Sequence, residues 1–376
     1  MARKIWLEQC VLLTALISSV GGAASLHVPS DYTTISAAVD AAVPGDVVEV
    51  GPGVYRESVV LTSNIILSGA GAESTIIEAP DAHAIMADEV RGSTIRGFTL
   101  TGANAYAIMI QRGSFVHIIN NVITASGGGV QFYGSTGTVT ANTFIDFPEE
   151  DQYAISSMNG SSPIISSNFI IRSDFGVMSY YDSHPTITNN TFVGGRIGIE
   201  LRDFFDIATS QPIIVNNIIT DHTVGIRGLN GATPRELGYS LFWNNQRNYE
   251  DITPATTDLE EDPGFVDPEE DNFHLSESSS AIDSGTEVDH EAERPILDWN
   301  GDGIEQVDLG ADEFNLDAAS SGGGAPQAPA DRPVSTGADT SDSLETAGGC
   351  QSIPHQMTYL WLSFLLSLGY RITRRR

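Results

Sequence analysis

Ile118-Ile119-Asn120-Asn121-Val122-Ile123 returns four times further along the chain. The copies are Val139-Thr140-Ala141-Asn142-Thr143-Phe144, Ile165-Ser166-Ser167-Asn168-Phe169-Ile170, Ile187-Thr188-Asn189-Asn190-Thr191-Phe192 and Ile214-Val215-Asn216-Asn217-Ile218-Ile219. Two weaker copies flank them, Ile95…Phe98…Leu100 and Leu237…Ser240…Phe242, at spacings of 23, 21, 26, 22, 27 and 23 residues from Phe98 onward. A second signature, Gly followed by Val130, Val177, Ile199 or Ile226, comes nine residues after the Asn in four copies. In the copy of Asn142 it comes after thirteen, at Ile155, because 147–152 inserts a polar loop with a proline. Insertions that leave the frame intact on both sides are what stacked repeats produce.

A period this short suits one coil of a parallel β-solenoid and not a helix pair. Apolar residues alternate at strand period within each copy and β-branched residues dominate, so alternate side chains point inward. About seven coils are expected, with Ile118, Val139, Ile165, Ile187 and Ile214 in one internal file. Ile123, Phe144, Ile170, Phe192 and Ile219 form a second file, each side chain worth about 1.5–3 kcal/mol when buried. The Asn file has its own chemistry. Asn accepts the left-handed turn conformation, and its amide can bond the Asn above and below.

Ahead of the coils, 1–24 reads as a secretory signal: Arg3 and Lys4, an apolar run over 11–20, and small Gly22-Ala23-Ala24 before Ser25. Cys10 leaves with it, so the body has no cysteine before Cys350 and no internal disulfide. Between Ser25 and Gly349 there are 12 Arg, no Lys and 48 acidic residues, a net charge of −36. Such a surface repels nucleic acid, and repels a strongly anionic polymer unless Ca²⁺ bridges the two.

Residues 25–57 read as an N-terminal cap. Thr34 is the expected N-cap of a short helix with Ile35, Ala38, Val39 and Ala42 on one face, ended by Pro44-Gly45. A strand over Val47–Val50 and a turn at Gly51-Pro52-Gly53-Val54-Tyr55 lead into coils over 58–248. The sequence Tyr32-x-Thr34-Ile35…Pro44-Gly45-Asp46…Pro52-Gly53-x-Tyr55-x-Glu57, with the coils after it, resembles the pectin-lyase-like superfamily over 28–245. That resemblance implies an all-β, right-handed, single-stranded parallel β-helix with a short N-terminal capping helix. It implies no activity, because the superfamily mixes lyases, hydrolases, esterases, epimerases and non-catalytic surface proteins.

Chemistry on such a scaffold is expected outside one strand ladder. If Val130, Ile155, Val177, Ile199 and Ile226 point inward, then Gln131, Ser156, Met178, Glu200 and Arg227 point outward in a file. Tyr133, Met158, Tyr180, Arg202 and Leu229 form the next, with Tyr181, Asp182, His184 and Asp203 beside them. Glu200 and Asp203, with Arg202 and Arg227, are the candidate catalytic set, Glu200 and Asp203 being the acid–base pair of a glycosidase. Gln131, Tyr133, Tyr180, Tyr181 and Asp182 are the candidate substrate-binding set, and Asp182 with Glu200 an alternative Ca²⁺ site of the lyase kind. Against these stands a solvated face whose Glu200, Arg202 and Arg227 are ordinary surface ion pairs. The Gly-His-Gly, Gln-Asp-Thr and Asp-Pro-His patterns of relatives with known chemistry are absent. His117, His184 and His222 lie in different coils and read as lone surface histidines.

The repeat stops at Asn245. An acidic closing segment, 249–316, is expected to cover the last coil with Phe265, Phe273, Leu275, Ile282, Leu309 and Phe314. Its order resembles terminal segments of exported bacterial β-helix proteins that carry surface-anchoring tails. Within it, Asp298, Asn300, Asp302 and the Ile304 carbonyl match the start of a structural Ca²⁺ loop, with Asp308 replacing the missing acid; the same sequence also makes a metal-free turn. Residues 317–349 read as a disordered linker and 350–376 as a hydrophobic tail ending in Arg374-Arg375-Arg376. The tail resembles bacterial C-terminal sorting signals, which implies processing at Gly349–Cys350 and transfer to the cell surface; a plain membrane anchor is the alternative. Two functions remain open. One is a monomeric, exported cell-surface protein that binds a polysaccharide or envelope glycan, or stabilises the envelope, without catalysis. The other is a Ca²⁺-assisted polysaccharide lyase or glycoside hydrolase.

Overall fold

The computed structural model describes residues 23–203, 210–287 and 307–312. Parallel strands stack into two sheets that together make three faces. Ten strands form the first face, from Ser25–Val28 and Val47–Val50 through Phe115–Ile119 and Thr186–Thr188 to Glu236–Gly238. The solenoid therefore has about ten turns, not seven. The additional turns lie at the start: Ser25–Val28 already pairs with Val47–Val50, so the segment read as a cap is itself coiled. A 16-stranded sheet wraps the second and third faces. Its two halves join because Thr191–Arg202 and Ile218–Leu229 run unbroken round the corner between them.

Registers are those of the repeat. Ile118 pairs with Val139, Val139 with Ile165, Ile165 with Ile187 and Ile187 with Ile214, all fully buried. The asparagines form a continuous buried ladder. Asn168 Oδ1 accepts from the Asn142 backbone N–H at 3.0 Å and from Asn142 Nδ2 at 3.1 Å. Asn168 Nδ2 donates to Val139 O, Ser166 O and Asn190 Oδ1 at 2.8, 2.9 and 2.9 Å. The ladder ends where the frame weakens: Phe98 N–H donates to Asn121 Oδ1, and Ser240 Oγ replaces the amide under Asn217. The left-handed residue, however, is the one before the ladder Asn. Asn120, Ala141, Ser167, Asn189 and Asn216 have φ of 54°, 55°, 53°, 53° and 58°.

The Gly-Val/Ile signature is steric. A Cβ at Gly129 or Gly176 would stand 2.8 or 2.7 Å from the ring of Phe144 or Phe192, closer than packed carbons come. Phe147, expected in the inserted loop, is fully buried, so the insertion begins at Pro148.

The helix Ile35–Ala41 buries Ile35, Ala38 and Val39, and Thr34 Oγ1 accepts from Ala37 N–H at 3.2 Å. Glu57 completes the cap. Its carboxylate accepts from the backbone N–H groups of Ile35 and Ser36, each at 2.8 Å, and from Ser36 Oγ at 2.6 Å. Asp46 accepts from Ala24 and Val43 N–H, both at 2.9 Å, bonds that hold its carboxyl below the usual range. The motif that carried the family resemblance thus ties the first coil to its helix. Glu57→Ala is expected to cost about 1–2 kcal/mol in urea-induced unfolding, as loss of an N-cap does. An effect below a few tenths would show the cap to be redundant.

Only the first part of the closing segment, Ile252 to Leu259, covers the end of the stack: Leu259 bridges Leu241, and Asp258 accepts from Ser240 N–H at 3.0 Å and from the Tyr249 hydroxyl at 2.5 Å. Beyond Leu259 the chain forms a lateral strap on the second face. Phe273 packs on Ile171 and Val193, beside Ile145 and Phe169, while Leu275, Ala281 and Leu309 pack on Ile218 and Leu241. Arg172 Nη1 pairs with Asp271 at 2.5 Å, Ala311 N–H donates to Thr191 Oγ1, and Asn189 Nδ2 donates to Asp308 O. Phe314 lies outside the described residues.

Candidate functional site

The third face carries the predicted files in the predicted register. Gln131, Ser156, Met178, Glu200 and Arg227 pair in succession, as do Tyr133, Met158, Tyr180, Arg202 and Leu229. The face is not solvated throughout. Gln131 and Tyr133 are half-buried, but Ser156 and Met178 are buried and the Glu200 side chain is 0% exposed. Glu200 is held between two guanidiniums. Arg202 Nη2 lies 2.6 Å from Oε1, and Arg227 donates from Nε at 2.9 Å and from Nη2 to Oε2. The arginine side chains are only 31% and 19% exposed, so this is an interior triad and not a set of surface ion pairs. Arg202 Nε and Glu200 Oε1 are both buried with no hydrogen-bond partner among the described residues.

Asp203 does something else. It is buried, and its Oδ1 accepts from Ser210 N–H at 2.7 Å. Tyr180 and Tyr181 meet edge to face at 4.5 Å, with Tyr181 43% exposed. Asp182 is exposed beside His184, 3.5 Å from Nε2, so it faces a different partner from Glu200. Among the described residues no group of three His, Cys, Asp or Glu could hold a metal. The loop ligands Asp298, Asn300, Asp302 and Ile304 lie outside them, as do Gly349 and Cys350. Asp308 is described and buried, its Oδ1 accepting from Asp283 N–H at 2.8 Å.

A further file was missed. Tyr153, Phe175, Ile197 and Val224 pair in succession and pack together outside the main core. The Tyr153 and Phe175 rings stack at 4.7 Å, and Arg196, held by Asp174 at 2.7 Å, sits 4.4 Å over Phe175. Burial pushes the Tyr153 phenol up to about 12, so it stays a hydrogen-bond donor across the physiological range. All four residues stand two places before the Val/Ile of the signature, so extending the frame backwards finds them.

Residues 83–240 match the family model described as a right handed beta helix region. The β-helix is accordingly right-handed. No curated protein matches the chain in sequence. Among solved structures, the mannuronan C-5 epimerase AlgE6 A-module of Azotobacter vinelandii is 17% identical with a TM-score of 0.41, over 58% of this chain and 74% of its own. Pectate lyase Pel9A is 12% identical with a TM-score of 0.43, over 79% and 98%. The pectin methylesterase from carrot is 18% identical with a TM-score of 0.42, over 64% and 91%. Likeness at this level concerns the fold.

At the corner between the second and third faces of the β-helix lies His222. It was expected at the surface but is fully buried, and burial pushes its imidazole down to about 4. A base whose folded value lies below its unfolded 6.5 stays neutral in the folded chain while the unfolded chain takes up the proton. Stability is therefore complete above pH 6.5 and declines as pH falls towards 4, by roughly 3 kcal/mol in all. Melting curves between pH 7 and 4 should show this decline, and His222→Asn should flatten it. An unchanged slope in the variant would assign the acid lability elsewhere.

Proposed function

We propose that this chain is an exported cell-surface protein that binds polysaccharide on its third β-helix face without transforming it. The observation that carries the reading is the engagement of Glu200: its side chain is 0% exposed, Oε2 accepts from Arg227, and Oε1 is ion-paired with Arg202 Nη2 at 2.6 Å. A general acid or base needs an oxygen within reach of the proton it moves, and Asp203 is buried with Oδ1 accepting from Ser210 N–H. What the face offers a sugar is Tyr180 and Tyr181 and the half-buried Gln131 and Tyr133. The signal-like start and sorting-signal-like tail support export and surface attachment. The test is a glycan array with the full-length protein, then a turnover assay on every hit. Binding without release of reducing or unsaturated ends is expected. Release of either that Glu200→Gln abolishes would make the chain a hydrolase or lyase instead.

A further inference from the structure

The third face continues beyond the arginine triad towards the N-terminus, and its character changes there. Met86, Met109 and Gln131 pair in one file, Gln111, Tyr133 and Met158 in the next. All six are half-buried, and they alternate with buried Ile85, Ala87, Ile108, Ile110, Val130 and Phe132, so they look outward. The four methionines of the described residues, 86, 109, 158 and 178, all stand on this one face. Asp88 is the charged residue in register with these files, and Arg112 pairs with it. On a chain of net charge −31 this strip is neutral.

We propose that the strip holds a neutral, extended glycan laid along the solenoid axis, a claim that rests on the carbohydrate-binding reading above. Methionine and tyrosine present polarizable, apolar surface to the C–H faces of pyranoses. Gln111, Gln131 and the tyrosine hydroxyl supply donors and acceptors for sugar hydroxyls. Gln131 Nε2 lies 3.5 Å from Met158 Sδ, a weak acceptor, so the amide keeps bonding capacity for a ligand. The charge balance selects against acidic polymers. A polyanion would meet the repulsion of the whole chain, and the nearest excess of positive charge, Arg202 with Arg227, is committed to Glu200. The direction follows from shape. The strip is two files wide but spans successive rungs about 4.8 Å apart, roughly one pyranose per rung.

Calorimetric titration of the full-length protein with gluco-, manno- and xylo-oligosaccharides of two to six units, beside oligogalacturonates of equal length, tests this. Neutral oligomers should bind more tightly with length up to four or five units and then level off. Tyr133→Ala and Met109→Glu should each weaken binding at least tenfold with the melting temperature unchanged, while Tyr133→Phe keeps most of the affinity. Binding of acidic oligomers alone, lost in Arg202→Gln, would overturn the neutral-ligand claim and leave the carbohydrate-binding reading standing. Neutral binding unaffected by Met109→Glu or Tyr133→Ala would move the ligand off this strip. If no oligosaccharide of either class binds, both claims fall.

Discussion

Asn168→Ala should lower the unfolding free energy by about 4 kcal/mol, far more than its few lost side-chain atoms suggest. The substitution removes the Asn168 amide's bonds to Val139 O and the Asn142 backbone N–H inside the stack, and leaves Ser166 O with only its longer bond from Ala141 N–H at 3.4 Å. A buried polar group left unpaired costs about 1–3 kcal/mol, and the closely packed rungs leave little room for water to replace the amide. Asn168→Asp should be worse, because a carboxylate oxygen would face two carbonyls with an unpaired charge. Ala141→Gly makes the opposite case. Ala141 has φ of 55°, where an L side chain costs about 1–2 kcal/mol, so glycine relieves strain and returns about 0.5–1 kcal/mol of that as chain entropy. It should be neutral to mildly stabilising. Chemical denaturation of both variants separates the ladder position from the turn position. A loss below 1 kcal/mol at Asn168 would mean that the amides are replaceable.

That pair of positions also shows what the sequence makes legible. The Asn frame located the ladder correctly, because only an amide both donates and accepts along a stack. It did not show that the left-handed residue precedes the ladder, since Ala141, Ser167 and Tyr239 occupy that turn position without any turn-forming signature. The early turns were missed for a related reason. Above Phe98 the ladder has ended: Ser25–Val28, Val47–Val50 and Ile66–Gly69 are joined by strand pairing, and Asp46 and Glu57 bond Ala24 and Ile35 where later coils have the Asn. The lateral strap was legible in principle. Phe169-Ile170-Ile171 is apolar on both sides of its strand, and such a run means cover on both faces. At the site, strand alternation gave the direction of Glu200 and Arg227 but could not give their depth. Direction is a property of the strand itself, whereas depth depends on what lies over it.

Glu200→Ala is expected to destabilise the chain by about 3–5 kcal/mol, through the arginines it leaves behind. The wild-type triad sets one carboxylate against Arg202 and Arg227. Removing that carboxylate leaves two like charges in register-adjacent strands, with the Arg227 side chain 19% exposed and poorly able to reach water. Breaking a buried pair from one side carries a penalty of this size, whereas replacing the whole pair by apolar groups is often neutral. Glu200→Leu combined with Arg227→Met should therefore recover most of the loss, because Arg202, 31% exposed, can turn its guanidinium outward. The double-mutant cycle should show a coupling well above the roughly 0.2–1 kcal/mol of exposed pairs, which salt would also screen. The outcome bears on function directly. If Glu200 organises Arg202, its loss should weaken stability and glycan binding together, and the apolar double variant should restore stability without restoring the contact at Arg202. If Glu200 is instead a proton donor or acceptor, Glu200→Gln should abolish turnover at temperatures where the variant is still fully folded. A folded Glu200→Gln that binds glycan without the turnover of the wild type would place catalysis on this face.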